Sequence, residues 1–326
     1  MLQVLLVTFP FFALVLAGYM AARRGMLRLD AIPGLNSFVL YFALPCLLYR
    51  FGSTTPVAQL LDPAVFFTYM LCALVLVGFV VAVSLNRRIG WNDAAFGALV
   101  AAFPNTGFMG VPLLVALLGP LAAGPAIATI MVDLLVTSSL CVALSRLDGA
   151  GLHGVSVAAR NAMRGVLVNP MPWAILFGAM ASWLSLELPG PVNQTVELLA
   201  DAASPVALFT IGAVLARSQM MSATDDAHPM PLRDYLPVAA IKLVLHPALV
   251  LLVGISAIQL GVAIDRFALT VIVLVAALPS ASNVSLLAER FGANTGRIAR
   301  IILVSTAAAF LTFSAAVTLL VDRSQG

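Results

Sequence analysis

LVAAFP at Leu99–Pro104 returns almost unchanged as LVAALP at Leu274–Pro279, 175 positions later (274 minus 99). Each copy lies within a long apolar stretch and ends in a proline, which removes one hydrogen bond from a helix and clashes with the preceding turn. Paired proline-interrupted segments at corresponding places in two halves of a chain are typical of the substrate site of a secondary transporter. Small polar residues follow the prolines: Asn105, Thr106 and Gly107 in the first copy, and Ser280, Ser282 and Asn283 in the second.

The composition predicts an integral membrane protein. Of the 326 residues, 62% are hydrophobic and 10% are charged, whereas a soluble domain carries about 25% charged residues. The mean hydropathy is +1.06. Apolar runs long enough to cross a bilayer recur along almost the whole chain, which leaves no room for a sizeable soluble domain. The net charge of +3 arises from arginines in short loops without interleaved aromatic residues, so no nucleic-acid partner is expected.

The cysteines indicate neither a metal site nor a disulfide framework. Cys46, Cys72 and Cys141 all fall in apolar stretches, and their spacing fits neither arrangement. We interpret them as small packing residues. No metal or cofactor is expected. The chain has no nucleotide-binding motif, so we expect a gradient to drive it.

We predict an all-α membrane protein with ten transmembrane helices. Only helices and closed barrels satisfy the backbone inside a bilayer, and continuous apolar runs are unlike the alternating pattern of a barrel. Each predicted span is long enough to cross a hydrocarbon core of about 30 Å at about 1.5 Å per residue. The spans are 2–22, 36–54, 64–86, 94–118, 125–146, 167–186, 194–217, 236–262, 267–290 and 296–321.

The arginines predict which way the spans run. Thirteen fall on one side of the predicted spans and three, Arg50, Arg266 and Arg323, on the other, so the thirteen-arginine side is expected to be cytoplasmic. An even number of spans then places both termini outside. The N-terminus starts apolar and is followed by Arg23 and Arg24, the opposite of a cleaved signal peptide, so we expect the first span to be retained.

Two similar halves of five spans predict an inverted repeat, one in residues 1–150 and the other in residues 151–326. Because five is odd, the fourth and ninth spans approach each other from opposite faces of the membrane. Pro104 and Pro279 then lie roughly 15–18 Å deep, near the midplane. The helix after each break presents an N-terminus with partial positive charge, which suits a carboxylate. The alternative is two kinked spans with a packing role.

Lys242 is the single lysine of the chain and lies in IKLVLHP, about two turns into the eighth predicted span. A buried ammonium in a membrane is costly and indicates a functional site, here anion binding or a proton-coupled step. The alternative is a snorkelling lysine whose head reaches the interface. His246 follows one turn later, either to take up protons near neutral pH or to hydrogen bond to a neighbouring helix.

Asp133, in MVDLLVTSS, is the one carboxylate well inside a predicted span, the fifth. We expect it to be the counter-ion of Lys242, a proton carrier or a cation ligand. The alternative is a protonated carboxyl group that hydrogen bonds between helices. Small hydroxyl residues in the fifth and last spans, such as Ser305 and Thr306, are mostly helix-packing residues in membranes.

Several motifs, taken in order, resemble the auxin efflux carrier family, which includes plant auxin exporters and bacterial carriers often labelled malonate transporters. The most specific is FPNTGFMGVPLL in the fourth span, and ALPSASNVSLLAERFG in the ninth span is similar. NSFVLYFALPCLLY, ASPVALFTIGAVLA, the KL followed by proline in the eighth span and the ST of the tenth add to the resemblance, which covers nearly the whole chain.

The resemblance implies a fold of five plus five inverted helices, similar to bile-acid symporters and sodium–proton antiporters. In it, spans 1, 2, 6 and 7 form a scaffold, and spans 3–5 and 8–10 form a transport domain. Carried over to this chain, the crossing consists of Pro104 and Asn105 with Pro279, and the polar residues after each proline face an organic anion. The resemblance also implies homodimers and elevator-like motion.

We therefore predict a secondary carrier, not an enzyme, for small carboxylates such as malonate or auxin-like acids in a bacterial inner membrane. A proton or sodium gradient is expected to drive it, with Asp133 and His246 in coupling. The expected substrate-binding residues are Pro104, Asn105, Thr106, Gly107, Lys242, Pro279, Ser280, Ser282 and Asn283.

Two other interpretations stay open. A cation–proton antiporter or sodium-coupled symporter of the related fold is the first, although an antiporter favours paired acidic residues at the crossing. A membrane enzyme or sensor is the second; an enzyme needs a second polar cluster and a sensor an additional domain. The polar loop Ser218–Tyr235 holds Asp225 and Asp226, but no second acidic cluster accompanies them.

Overall fold

The computed structural model describes residues 2–60, 62–147, 160, 167–224 and 230–321. This part of the chain is helical and contains no strand. Asp225 and Asp226 of the long polar loop lie outside the described residues. The helices are α1 (Leu2–Arg23), α2 (Ile32–Thr54), α3 (Pro63–Ser84), α4 (Trp91–Ala102), α5 (Thr106–Leu118), α6 (Pro120–Leu144), α7 (Pro170–Trp183), α8 (Gly190–Thr224), α9 (Leu236–Gln259), α10 (Arg266–Ala277), α11 (Val284–Arg290) and α12 (Thr295–Val321).

Seven stretches among the described residues are helical, long and apolar enough to cross a membrane. They comprise α1, α2, α3 with the preceding turn, α6, α8, α9 and α12. The fourth and ninth predicted spans are each divided: α4 ends at Ala102 and α10 ends at Ala277, two residues before the proline in both cases. The sixth predicted span, 167–186, contains the 14-residue helix α7, which is shorter than a full crossing.

The chain forms two compact units. The first unit comprises Met1–Asp62, Thr106–Ala128 and Asn169–Thr224, and the second comprises Pro63–Asn105, Thr129–Val168 and Asp225–Gly326. The boundary between them falls directly after Asn105, within the fourth predicted span.

Glycines set the helix packing of the first unit. Helix α1 packs along α8, and α2 packs along α7. A Cβ atom on Gly18 would overlap the carbonyl oxygen of Phe209, and one on Gly212 would overlap that of Val15. Between α2 and α7, a Cβ atom on Gly178 would lie 2.6 Å from the carbonyl oxygen of Tyr49. Small residues at such crossings let the backbones of membrane helices approach closely.

The second unit has a core built around α4 and α10. Helix α3 packs on α4 and on α9, α9 packs on α10, and α10 packs on α12. The end of α6 packs on α4. Both broken helices are buried almost along their whole length, including the Leu99–Ala102 and Leu274–Ala277 copies of the repeated sequence. The alanines and valines of LVAA are therefore core residues of this unit.

Four helices contain a wider π-helical turn, and prolines explain three of these turns. The turns are Val39–Ala43, Thr106–Gly110, Asp133–Thr137 and Ile241–Leu245. Pro45, Pro112 and Pro247 each follow a turn by two residues, and a proline lacks the N–H that would continue the α-helical ladder. The fourth turn, which begins at Asp133, is not followed by such a proline. There the hydroxyl of Ser138 donates to the Asp133 carbonyl at 2.8 Å. Such turns are frequent at functional sites.

Candidate functional site

The two proline breaks lie against each other within the second unit. Pro104 pairs with Ser280 in an isolated antiparallel β-bridge. The N–H of Asn105 donates to the Pro279 carbonyl at 2.9 Å, and the N–H of Ala281 donates to the Phe103 carbonyl at 3.0 Å. Both prolines occupy positions whose N–H would not take part in the bridge. The ends of the broken helices thus satisfy backbone groups that would otherwise be costly to leave open inside a membrane.

Small polar side chains surround this bridge. Asn105, Ser280 and Ser282 are buried, and the N–H of Ser280 donates to the hydroxyl oxygen of Ser305 at 3.2 Å. The hydroxyl of Ser280 and the amide oxygen of Asn283 have no hydrogen-bond partner among the described residues. Ser305, interpreted from the sequence as a packing residue, thus supports the break directly. Buried polar atoms without partners indicate a place where water, an ion or a ligand binds.

Thr106 and Gly107 belong to the first unit, although they follow Asn105 directly in the chain. Both lie in the π-helical turn that begins α5, and Thr106 is buried. A Cβ atom on Gly107 would contact the side chain of Leu44 at 3.5 Å, an ordinary packing distance.

Lys242 is fully buried beside the second break. Its Nζ atom donates to the Ala276 carbonyl at 2.8 Å and lies 3.1 Å from Nδ1 of His246. In a continuous helix the Ala276 carbonyl would accept from the N–H of Ser280, but that N–H bonds to Ser305 instead. The lysine therefore satisfies a carbonyl that the proline break leaves open. A snorkelling lysine would instead direct its ammonium group to water.

His246 is also fully buried. Its Nδ1 atom is paired with Nζ of Lys242, and its Nε2 atom has no partner within the described part of the chain. The ring of His246 lies 5.9 Å from the ring of Tyr69. The histidine thus holds a ring nitrogen that a bound species can use.

Asp133 is buried at the start of the π-helical turn in α6. One carboxylate oxygen accepts from the Thr137 hydroxyl at 3.2 Å, and the other meets no partner on any described residue. The carboxylate interacts electrostatically with Lys242, but the two residues form no ion pair in the part of the chain that the structure describes. The acid and the lysine therefore interact at a distance and not through a direct contact.

Tyr69 is the member of this site that sequence reasoning missed. It lies in α3, is fully buried and interacts electrostatically with Asp133, and its hydroxyl has no hydrogen-bond partner in the described ranges. The signal that could have found it was a tyrosine in the middle of an apolar span, FTYMLCA. We refer to Tyr69, Asp133, Lys242 and His246 as the polar cluster.

We expect Tyr69→Phe to leave the thermal stability of the purified protein unchanged or slightly raised. Burial of a hydroxyl without a partner costs about 1–3 kcal/mol, and phenylalanine avoids that cost at nearly the same shape. The melting temperature in detergent measures this. Ser305→Ala is the control, because it removes a hydroxyl that does have partners and should lower the melting temperature. A clear loss of stability in Tyr69→Phe would contradict the open hydroxyl.

No group of three or more His, Cys, Asp or Glu side chains suited to a metal ion occurs among the described residues. The unpaired atoms of the site are hydroxyl, amide, carboxylate and imidazole groups.

Long apolar helices, with two broken helices that meet inside the second unit, define a multi-pass membrane protein of the transporter class. The chain belongs to the auxin efflux carrier family, because a family model described as "Membrane transport protein" matches residues 4–148 and 155–317. It is therefore a membrane transport protein with a small-molecule substrate rather than an enzyme.

Two relatives agree with this assignment. The chain is 31% identical over 298 residues to the "Putative malonate transporter" of Rhizobium meliloti, covering 91% of this chain and 89% of the relative. It is 25% identical over 292 residues to the "Uncharacterized transporter YfdV" of Escherichia coli K12, covering 88% of each chain.

Proposed function

We propose that the protein is a secondary active transporter of small organic carboxylates, with malonate as the first substrate to test. The observation that carries the proposal is the bridge of Pro104 with Ser280. Beside it, the buried ammonium group of Lys242, a residue of α9, bonds to the Ala276 carbonyl in the last turn of α10. A fixed positive charge next to unpaired hydroxyl and amide groups suits a carboxylate. The name of the Rhizobium relative supports malonate as the first choice.

The packing within each unit supports ten spans in two inverted repeats. In the first unit, the first predicted span (α1) packs on the seventh (α8), and the second (α2) packs on the sixth (α7). In a repeat of five spans, each span of the first half corresponds to the span five places later. The first span then corresponds to the sixth and the second to the seventh, so the two packed pairs are equivalent. The same correspondence holds in the second unit. There the α3–α4 pair is equivalent to the α9–α10 pair, and the α4–α6 pair is equivalent to the α10–α12 pair.

In this proposal the substrate carboxylate binds at the bridge. Lys242 supplies the positive charge, and Asn105, Ser280, Ser282 and Asn283 supply hydrogen bonds. Pro104 and Pro279 keep the backbone open for the ligand. Thr106 and Gly107, at the start of α5 in the first unit, stay predicted binding residues. Spans 3–5 and 8–10 would form the moving transport domain, and spans 1, 2, 6 and 7 would form the scaffold of a homodimer.

The polar cluster would bind the coupling ion, for which we propose a proton. The unpaired oxygen of Asp133 is the acceptor, and Lys242, Tyr69 and His246 are the polar groups around it. Cys141 also interacts electrostatically with Asp133. The same unpaired oxygen favours sodium as the second candidate, so both ions belong in the test.

Both termini would lie outside the inner membrane of a bacterium.

Uptake of radiolabelled malonate into proteoliposomes tests the proposed function. We expect uptake that follows an imposed pH gradient and falls when unlabelled dicarboxylates compete. Asn105→Ala should lower uptake by about tenfold or more, the loss expected for one hydrogen bond to a charged group at about 1.5–3 kcal/mol. Asn193→Ala, at an exposed position of α8, is the matched control and should transport normally.

Three results would contradict the proposal or part of it. Asn105→Ala with normal folding and normal uptake would remove the bridge as the binding site. Uptake that follows a sodium gradient and ignores the pH gradient would replace the proton with sodium. Wild-type protein without uptake of, or competition by, any mono- or dicarboxylate would overturn the substrate class.

A further inference from the structure

Arg297 is a buried arginine at the far end of α4 from the bridge. Its side chain lies within the second unit and is 3% exposed. Nη1 donates to the Asp93 carbonyl at 2.7 Å, and Nε donates to the Asp234 carbonyl at 2.7 Å. The guanidinium group thus connects the first turn of α4 with the segment that precedes α9. It makes these bonds to backbone oxygens and forms no ion pair within the described ranges.

Gly97 leaves the space that this guanidinium group occupies. A Cβ atom at position 97 would lie 2.8 Å from Nη1 and 3.1 Å from Nη2 of Arg297. Since real Cβ atoms do not approach that closely, a larger residue at this position must shift the guanidinium end of the arginine side chain. Gly97 and Arg297 therefore form one contact, although 200 residues separate them (297 minus 97).

Two further bonds attach the same turn of α4 to the connection between α11 and α12. The N–H of Asn294 donates to the Asp93 carboxylate at 2.7 Å, and the Asn92 side chain donates to the Phe291 carbonyl at 3.1 Å. The Asn294 side chain in turn caps α12 by accepting from the N–H of Arg297 at 2.9 Å. We call these contacts of Asn92, Asp93, Gly97, Asn294 and Arg297 the arginine latch.

The second broken helix begins differently. In α10 the Asp265 side chain accepts from the N–H groups of Phe267 and Ala268, at 3.1 and 3.2 Å, and so caps its own helix. In α4 the matching position is Gly90, which has no side chain to cap the helix, and the acid of the first turn, Asp93, accepts from the N–H of Asn294 instead. The repeats are therefore alike at the breaks and unlike at the helix starts.

We propose that Arg297 is a positioning residue of the transporter: through the arginine latch it fixes α4 and thereby holds the Pro104–Ser280 bridge closed to water. Helix α4 is 12 residues long and buried, so it transmits a shift of its first turn to Asn105 at its other end. This inference rests on the proposed function only in taking the bridge as the transport site.

The test measures the reactivity of a cysteine beside the bridge, for which no substrate is needed. Cys46, Cys72 and Cys141 are replaced by alanine, and Ser282→Cys supplies a buried thiol of nearly the same shape as the serine. A water-soluble maleimide then reports how often the bridge opens. Arg297→Gln is expected to raise the labelling rate by about tenfold or more, the effect of losing a hydrogen bond from a charged group.

Gly97→Ala provides the second variant. It should also raise labelling, and the double variant Gly97→Ala with Arg297→Gln should label no faster than Arg297→Gln alone, because both changes act on one contact. The matched controls are Gly78→Ala, where a Cβ atom would meet no other atom within 4 Å, and Arg290→Gln at an exposed arginine. Neither control should alter labelling.

The outcomes distinguish a positioning role of the arginine latch from a purely stabilising role. They also test the latch independently of the proposed substrate. A lower melting temperature with unchanged labelling would overturn the inference, as would rates that multiply in the double variant. If Arg297→Gln does not fold, Gly97→Ala compared with Gly78→Ala decides the question. Where wild-type protein transports malonate, the latch variants should also raise KM. Where it does not, the substrate proposal fails and the labelling result still stands.

Discussion

Lys242→Gln is expected to reduce malonate uptake by about tenfold to a hundredfold, since a hydrogen bond to a charged group contributes about 1.5–3 kcal/mol. Glutamine keeps an N–H donor in place of the ammonium group that bonds to the Ala276 carbonyl, on a side chain one atom shorter, and we expect the end of α10 to stay in place. What disappears is the positive charge beside the bridge. The loss should appear mainly as a raised KM in proteoliposome uptake, with protein of normal yield and monodispersity.

Charge-matched variants make this result specific. Lys242 is the single lysine, so the control for a lost positive charge is Arg290→Gln at the exposed end of α11, which should transport normally. Lys242→Arg keeps the charge in a fully buried space and should restore part of the affinity. A Lys242→Gln protein with wild-type KM would show that the lysine only supports α10 and would remove it from the anion site.

Gly212→Ala is expected to destabilise the protein by about 1–3 kcal/mol or more, the usual effect of inserting a methyl group into a packed contact. The added Cβ atom would overlap the carbonyl oxygen of Val15 in α1, a backbone atom that cannot rotate away. Helices α1 and α8 must then separate along their contact. Thermal unfolding in detergent should show a clearly lower melting temperature and a reduced yield.

Gly34→Ala is the matched control for this substitution. Gly34 lies in the helical part of α2, and a Cβ atom added to it would meet no other atom within 4 Å, so alanine should be neutral or stabilising there. If Gly212→Ala were as stable as Gly34→Ala, the close approach of α1 and α8 would be wrong. Transport per folded molecule is not expected to distinguish the two variants, because neither residue belongs to the segments that form the bridge.

Much of the site was predictable because the signals were local. The repeated LVAA and the prolines at 104 and 279 predicted where the two helices end, since a proline cannot donate to the helical ladder. A lysine and an aspartate within apolar runs indicated candidate functional positions, because an unpaired charge is costly in a membrane. The roles given to these residues in binding and coupling remain predictions until uptake is measured.

What the sequence did not predict depends on partners distant in the chain. Tyr69 looked like any aromatic residue of an apolar span, and its importance arises only from its place beside His246 and Asp133. Gly97 and Arg297 showed no signal of their contact. No pattern within a single segment contains this information, because side-chain contacts between helices depend on how those helices pack.

The sequence by itself determined that this is a helical membrane protein, where its two central helices break and which polar residues follow the breaks. These features arise from transfer energies and backbone chemistry that act within one segment. The tertiary structure alone decided that Asn105 bonds to Pro279, that Lys242 donates to the Ala276 carbonyl and that Arg297 donates to a carbonyl in the first turn of α4. Each of these bonds joins a group left unsatisfied by one segment to a donor or acceptor on another, so only the packed helices bring the two together.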